Sequence, residues 1–423
     1  MIESIRATYL VETPLAPAAA AEMLAGEQSS GTFVAVPGQT PRLQERSGAR
    51  VVACEAIGCT DAPSLPGAVQ PKLQAGGAVY RQAHVTIDWP LENLGPSLPN
   101  LMSTIAGNLF ELKAFSGIRL LDFSVPDAFF ERYPGPQFGI SGTRALAGVH
   151  GRPLIGTIIK PSVGLDPEAT AQLVDALCTG GIDFIKDDEL QADGPHCPFE
   201  ARVDAVMRVV HRHSDHLGRK VMFAFNVTGE VDEMRRRHDH VVARGGTCVM
   251  ASINSVGMAG FLALRAHAQI PIHAHRNGWG YLSRAPALGF EYTAWHKFWR
   301  LAGADHMHVN GIANKFCEPD ESVIRSARAC LAPIDAAAGR SYRVMPVFSS
   351  GQWAGQVPAT YAAMASTDLI YACGGGIAAH PDGIAAGVQS IRDAWDAAIS
   401  GIPLADYAAA HPALAQAIAK FGP

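Results

Sequence analysis

The sequence predicts two α/β domains in series, a (β/α)8 TIM barrel over residues 136–423 preceded by a smaller, ferredoxin-like α+β domain over residues 1–135. Three observations carry this. The chain has 423 residues, too many for one ordinary domain of ~100–200 and enough to include a barrel of ~250. From Gly156 onward, eight short apolar, β-rich runs alternate with helical stretches, which suits a closed barrel better than an open doubly wound sheet with fewer strands and a nucleotide fingerprint. An irregular Gly- and Pro-rich stretch at 126–153 precedes that rhythm, and Tyr133-Pro134-Gly135-Pro136 within it marks the junction.

In the first domain, β-rich runs predict strands at 5–11, 51–57, 79–88 and 118–125, and helices fall at 17–28 and 98–112. The barrel strands are expected at 156–160, 184–186, 221–227, 248–253, 270–275, 306–309, 344–349 and 369–372. Between the first two, Asp166-Pro167-Glu168 supplies an N-cap, an N1 proline and a first-turn acid; Leu173 and Leu177 mark one face, and Gly180-Gly181 stops the helix.

Composition narrows the function. A formal charge of -5 with no Lys/Arg run argues against nucleic acid. No apolar run approaches the ~18 residues of a membrane span, and no basic segment followed by an apolar core opens the chain. The eight cysteines lack any Cys-x-x-Cys pair, which reads as free thiols in a reducing compartment. A cytoplasmic enzyme acting on small molecules is expected.

Chemistry in such barrels sits at the C-terminal strand ends, and those ends are polar here: Lys160, Lys186-Asp187-Asp188-Glu189, Asn226, His273, His275, Arg276, His306, His308, Ser349 and Gly374-Gly375-Gly376. A period of two sends Lys186 and Asp188 to one face, with Glu189 just past the strand. Asp and Glu are hard oxygen ligands suited to Mg2+. A lysine beside them reads either as charge compensation or as an amine converted by CO2 to a carbamate, and the company of the other rim groups favours the carbamate. The two His-x-His pairs read either as core histidines or as site groups. A zinc hydrolase barrel of the amidohydrolase kind also combines His-x-His with a carbamylated lysine, but in the reverse order along the chain. Glycines after the last strands, with Ser349-Ser350-Gly351, suit a phosphate cradle.

These residues resemble the RuBisCO large-subunit superfamily. The stretch from Ile158 to Leu165, the block Gly180 to Glu189 and Ala304-Asp305-His306-Met307-His308 match it in content, order and spacing. The resemblance implies a carbamylated Lys186, with Asp188 and Glu189 completing the Mg2+ ligands. It implies Lys160 as a proton-transfer lysine, His275, Arg276 and His308 against substrate, and Lys315 on the mobile loop after strand six. Ser349, Gly351, Gly374 and Gly375 would bind substrate and its phosphate. Glu27, Thr32 and Asn108 would complete the neighbouring subunit's site, so an obligate homodimer, or a higher oligomer built from it, is expected.

Departures from the carboxylase pattern point to a RuBisCO-like protein of the form IV type. Ser162 stands where carboxylases have a second lysine, Ile158 for threonine, Phe33 for tryptophan, Trp279 for histidine and Ser350 for glycine. What the resemblance retains is the apparatus for a metal-bound enediolate, with Lys160 or the carbamate as base and His275 and His308 as proton donors. Lys315, which in the superfamily neutralises a carboxylate gained or lost, and its loop 310–316 resemble members acting on branched β-keto sugar-acid phosphates. Decarboxylation or transcarboxylation/hydrolysis of a 3-oxo-isoapionate 4-phosphate type of substrate is therefore expected, and not ribulose-bisphosphate carboxylation. The alternatives are a ketose-phosphate enolase or isomerase of the methionine-salvage type, and a non-catalytic sugar-phosphate-binding protein.

Overall fold

Alternation of buried and exposed side chains organises the first of two units in the structure, a computed structural model that describes residues 3–31, 36–69 and 78–422. That unit comprises residues 1–134 and 278–301; the second comprises 135–277 and 302–423. Strands β1 (Ser4–Thr13), β2 (Arg50–Thr60), β3 (Tyr80–Pro90) and β4 (Gly117–Ser124) lie antiparallel in the order β4-β1-β3-β2. Ile5, Ala7, Tyr9 and Val11 of β1 and Ala83, Val85, Ile87 and Trp89 of β3 are buried at every second position. The helices Pro17–Glu27 and Leu98–Ala106 contribute Leu24, Leu101 and Ile105 to this core, and the Tyr9 hydroxyl donates to the Ile105 carbonyl at 2.7 Å. Side chains of the other face pair with one another, Arg6 with Asp88 and Thr8 with Thr86.

The second unit is a closed parallel barrel of β5 (Leu154–Ile158), β6 (Phe184–Lys186), β7 (Met222–Asn226), β8 (Cys248–Ser252), β9 (Ile272–His275), β11 (His306–His308), β12 (Met345–Phe348) and β13 (Ile370–Ala372). All eight expected strands are present. Leu154, Phe184, Met222, Cys248, Met345 and Ile370, each at the start of its strand, form one apolar cluster with Ala147 and Val149. Phe184 fills the space that Gly156 leaves, since a Cβ on Gly156 would come within 3.2 Å of it.

The helix Gly139–Ala147, not expected from the sequence, packs at that N-terminal end. Buried Asp305 accepts the N–H groups of Phe138 and Gly139 at 2.7 and 2.9 Å, and Thr143 Oγ1 lies 2.8 Å from His306 Nε2. The expected helix after β5 runs Pro167–Thr179, with Asp166 capping the Ala169 N–H at 2.8 Å.

Between β9 and β11 the chain leaves the barrel unit. The segment 278–301, expected in the barrel domain, belongs with the first unit, so the chain crosses between units at 277/278 and 301/302 as well as near the expected junction. Its short strand β10 (Leu288–Phe290) pairs in parallel with β4. Arg119 of β4 holds it, donating to the carbonyls of Ser283, Ala285 and Leu288 and to the Glu291 carboxylate at 3.0–3.2 Å. Trp279, in the same segment, packs on Trp295 with ring centroids 4.8 Å apart.

Candidate active site at the C-terminal rim of the barrel

Because side chains alternate along a strand, the strands that start apolar at the N-terminal end put a second set of residues inward at the other end. Those are Lys186 of β6, Asn226 of β7, Ser252 of β8, His275 of β9, His308 of β11, and Ser349 and Gly374 just past β12 and β13. Six of these seven are polar, and one ring of side chains thus faces one site.

Lys186 is almost completely buried. Its Nζ donates to the Asp187 carbonyl at 2.7 Å and lies 3.8 Å from Glu189 Oε2. Burial lowers its pKa to about 8 despite the opposing pull of Glu189, Asp188 and Asp187, so a substantial neutral fraction exists near neutral pH. Lys160 reaches the same cluster from the turn after β5, donating to Asp188 Oδ2 at 2.6 Å and to Ser162 Oγ at 2.7 Å. Burial works against the Asp188 carboxylate, but Lys160 and the Leu190 N–H hold it below its ordinary value. His275 Nε2 stands 3.5 Å from Glu189 Oε2.

Asp187 turns the other way. It pairs with fully buried Arg202 at 3.2 Å and accepts the Asn226 N–H at 2.9 Å. Arg202 also donates to the Ala192 and Cys197 carbonyls, and Asn226 Nδ2 donates to the Asp188 and Glu189 carbonyls at 3.3 and 3.2 Å. The backbone bearing Asp188 and Glu189 is thereby fixed from behind. Neither Asp187 nor Arg202 was singled out as a site residue in the sequence; charge type alone does not tell an inward from an outward carboxylate, and Arg202 sits a whole loop away.

The histidines separate into two roles. His306 lies beneath the site, bound to Thr143, and burial lowers its pKa to about 3; it is a core histidine. His308 Nε2 is 2.7 Å from His273 Nε2, and its Nδ1 is 3.0 Å from Ser349 Oγ. The rings of His275 and His308 meet edge to face at 4.7 Å. Burial pushes both well below the ordinary imidazole range, with Lys186 adding to it. Both rings are therefore neutral, and a neutral imidazole carries one N–H to donate.

Arg276 is buried beside them and donates to Glu318 at 2.8 Å, while Asn310 donates to the same carboxylate oxygen at 2.6 Å. Glu318 escaped the sequence reading, and no local signal marks it. The loop after β11 is tied to the turn after β12: the Lys315 N–H donates to the Ser350 carbonyl at 3.1 Å, and Gln352 donates to the Ile312 carbonyl at 3.0 Å. The Lys315 ammonium is over the Phe316 ring, 5.3 Å from its centroid. Its backbone, and not its charge, joins it to the turn that carries Ser349 and Gly351. Gly374 lies against Lys160, where a Cβ would be 3.8 Å from Lys160 Cε, and a Cβ on Gly375 would meet open space.

Glu27 and Asn108 belong to the first unit. Both are exposed, at the end of the helix Pro17–Glu27 and the start of the short helix Asn108–Glu111. Those ends are neighbours, with Gln28 Oε1 3.5 Å from where a Cβ on Gly107 would stand. Thr32 and Phe33 lie outside the described residues.

The donor set at Lys186 would fit a hard divalent cation if the amine carried CO2: Glu189 lies 3.8 Å from the Lys186 Nζ, Asp188 lies 2.6 Å from the Lys160 Nζ, and a carbamate would add a third anionic oxygen group. Among the described residues, His238, Asp239 and His267 are also close enough to share an ion. There, however, His238 Nε2 accepts the Gln269 N–H at 3.0 Å, which leaves the proton on Nδ1, facing Asp239. A protonated nitrogen does not bind metal, so that trio is a hydrogen-bonded cluster.

Residues 139–421 match the family described as ribulose bisphosphate carboxylase large chain, catalytic domain, and residues 7–129 match its N-terminal domain. The chain is 57% identical over 418 residues to a 3-oxo-isoapionate-4-phosphate transcarboxylase/hydrolase of Xanthobacter autotrophicus, covering 99% of each chain. It is 45% identical over 420 residues to a 3-oxo-isoapionate-4-phosphate decarboxylase of Rhizobium rhizogenes, covering 99% of this chain and 98% of the other. A rubisco-like protein from Burkholderia fungorum superposes with a TM-score of 0.92 at 48% identity, covering 99% of this chain and all of the other.

Proposed function

The chain belongs to the ribulose bisphosphate carboxylase large-chain family, and within it we propose that it is a Mg2+-dependent RuBisCO-like enzyme cleaving a branched β-keto sugar-acid phosphate of the 3-oxo-isoapionate 4-phosphate type, by decarboxylation or by transcarboxylation and hydrolysis. The observation that carries this reading is the buried Lys186 with its pKa near 8 beside Asp188 and Glu189, in a rim whose second lysine has become Ser162. The full-length similarity to enzymes named for that substrate supports it.

Carbamylated Lys186, Asp188 and Glu189 would hold the ion, which when bound would polarise the keto sugar's oxygens. Lys160, which donates to Asp188 and Ser162, would move a proton at the substrate carbon. His275 and His308 offer N–H groups to substrate oxygens. In decarboxylation, the bond from the carboxyl carbon to the α-carbon breaks, its electron pair passes into the neighbouring ketone to give an enediolate, and a proton then returns to carbon. Gly374 and Gly375 leave room and backbone N–H groups for the phosphate. The site would be completed by Glu27, Thr32 and Asn108 of a second copy, in a cytoplasmic homodimer; no helix among the described residues is long and apolar enough to cross a membrane.

The test is turnover of 3-oxo-isoapionate 4-phosphate, 13C-labelled at its carboxyl, by purified protein with Mg2+ and bicarbonate. Label in CO2 indicates decarboxylation, and label kept in an acid product indicates transcarboxylation and hydrolysis. No turnover of this substrate, alongside solvent deuterium uptake by simple ketose phosphates, would replace the proposal with the enolase or isomerase.

A further inference from the structure

His273 lies one layer below the rim, fully buried, with its ring tilted over Phe184 at 5.3 Å and edge-on to His306 at 5.6 Å. It takes no part in the chemistry above. Its Nε2 is nevertheless 2.7 Å from Nε2 of His308, whose other nitrogen is 3.0 Å from Ser349 Oγ. At 2.7 Å two ring nitrogens share one proton. The question is which ring owns it.

Both rings are held neutral, chiefly by burial, and a neutral imidazole has a single N–H. Were His308 the donor, the only proton of His273 would sit on Nδ1, a buried atom with no hydrogen-bond partner. An orphaned buried donor costs about 1–3 kcal/mol and is rarer in native structures than an under-satisfied acceptor. With His273 as donor, its Nδ1 carries only a lone pair. His308 then accepts at Nε2 and keeps its own proton on Nδ1, directed at Ser349.

We propose that His273 is a positioning residue that fixes His308 in the Nδ1–H tautomer, so that at the rim His308 can only donate a hydrogen bond and cannot act as a base. The tautomer follows from the contact and burial of the two rings, independently of any reaction; its catalytic consequence rests on the function proposed above. Under that function, the donated N–H would meet an oxygen that gains negative charge as the C–C bond breaks, while proton removal falls to other groups.

The test uses full-length protein labelled with 15N-histidine, with the His308 signals identified by their loss in His308→Gln. Two variants divide the roles of the His273 ring. His273→Gln keeps an N–H near the position of Nε2. His273→Phe keeps a ring against Phe184 and His306 but donates nothing. The wild type and His273→Gln should show His308 protonated at Nδ1 and bare at Nε2, whereas in His273→Phe the proton should move in part to Nε2. In turnover, removing such a supporting group should lower kcat about 10- to 100-fold with KM changed less than about threefold, and His273→Gln should recover most of the loss. A wild-type His308 protonated at Nε2 overturns the proposal, as does a folded His273→Phe with wild-type tautomer and kcat. Should His273→Phe fail to fold, the wild-type tautomer still decides. Should no substrate turn over, the proposed function fails while the nitrogen spectrum still settles the tautomer.

Discussion

At Lys186, a side chain that is ordinarily a surface cation has been placed where its charged form is costly. Burial lowers its pKa from 10.5 to about 8, and only the neutral amine adds CO2. The sign follows directly: the reactive fraction grows as pH rises through about 8 and falls roughly tenfold per pH unit well below it. At fixed dissolved CO2, activation by bicarbonate before assay should thus be faster at pH 8.5 than at pH 7, and a flat or inverted trend would count against carbamylation. Lys186→Ala should abolish Mg2+-dependent activity while circular dichroism keeps its native form, because the change touches the rim ring and not the apolar layer below; surviving activity would remove the carbamate role. That Lys186, Asp188 and Glu189 cluster at one strand end was legible, whatever they hold, because type, spacing and place coincide. Arg202 and Glu318 were not, since each acts through a contact made only when distant loops meet. His306 and His308 show the limit most clearly. They are two residues apart and alike in sequence, but one faces Thr143 in the core and the other Ser349 at the rim.

Elements were legible where period and length were both expressed. The barrel strands stood out as apolar runs because a parallel strand in a barrel is buried on both faces. The helix Gly139–Ala147 did not, since two of its nine residues are glycines within a Gly/Pro stretch and its stability comes from Asp305 and the barrel's apolar layer. The strand β10 is only Leu-Gly-Phe, too short for any period, and owes its place to Arg119. Helix ends allow a stability prediction. The helix Val357–Met364 stops at Ala365, exposed and left-handed with φ 47°. That conformation costs an L-residue roughly 1–2 kcal/mol, against roughly 0.5–1 kcal/mol of extra chain entropy for glycine. Ala365→Gly should then stabilise the barrel unit by about 0.5–1 kcal/mol, read as a higher melting temperature with unchanged turnover; a lower one would show that the left-handed turn carries no strain. The loop after β11 gives a functional counterpart. If the Lys315 ammonium leaves Phe316 to meet the substrate carboxylate on closure, Lys315→Met should slow C–C cleavage about 100-fold or more. Solvent exchange of a substrate C–H should fall much less in the same sample. Equal losses would make Lys315 a loop-closing residue and favour the enolase or isomerase.

At the scale of the whole molecule, the proposed function would require Glu27 and Asn108 to serve a barrel, their own or another copy's. Lys160, Lys186, Asp188, Glu189, His275, His308 and Ser349 belong to the barrel unit, whereas Glu27 and Asn108 are exposed at adjoining helix ends of the first. Under the proposed function these two exposed side chains would serve a barrel's site, and two arrangements are open to them, the same chain's barrel or a second copy's. Subunit mixing distinguishes the two. Asn108→Ala and Lys186→Ala should each be nearly inactive alone. If the site is shared across a two-fold interface, a mixed dimer has one site with both residues intact and one with neither. Random exchange makes about half of the dimers mixed, so about a quarter of all sites should recover, and activity should rise to about a quarter of wild type. If each chain completes its own barrel, every site in every dimer lacks one residue and mixing restores nothing. Exchange has to be demonstrated in the same sample, for example by native mass spectrometry of subunits of different mass, so that a null result counts. Absence of rescue with exchange complete would confine Glu27 and Asn108 to their own chain and remove the catalytic reason for proposing a dimer.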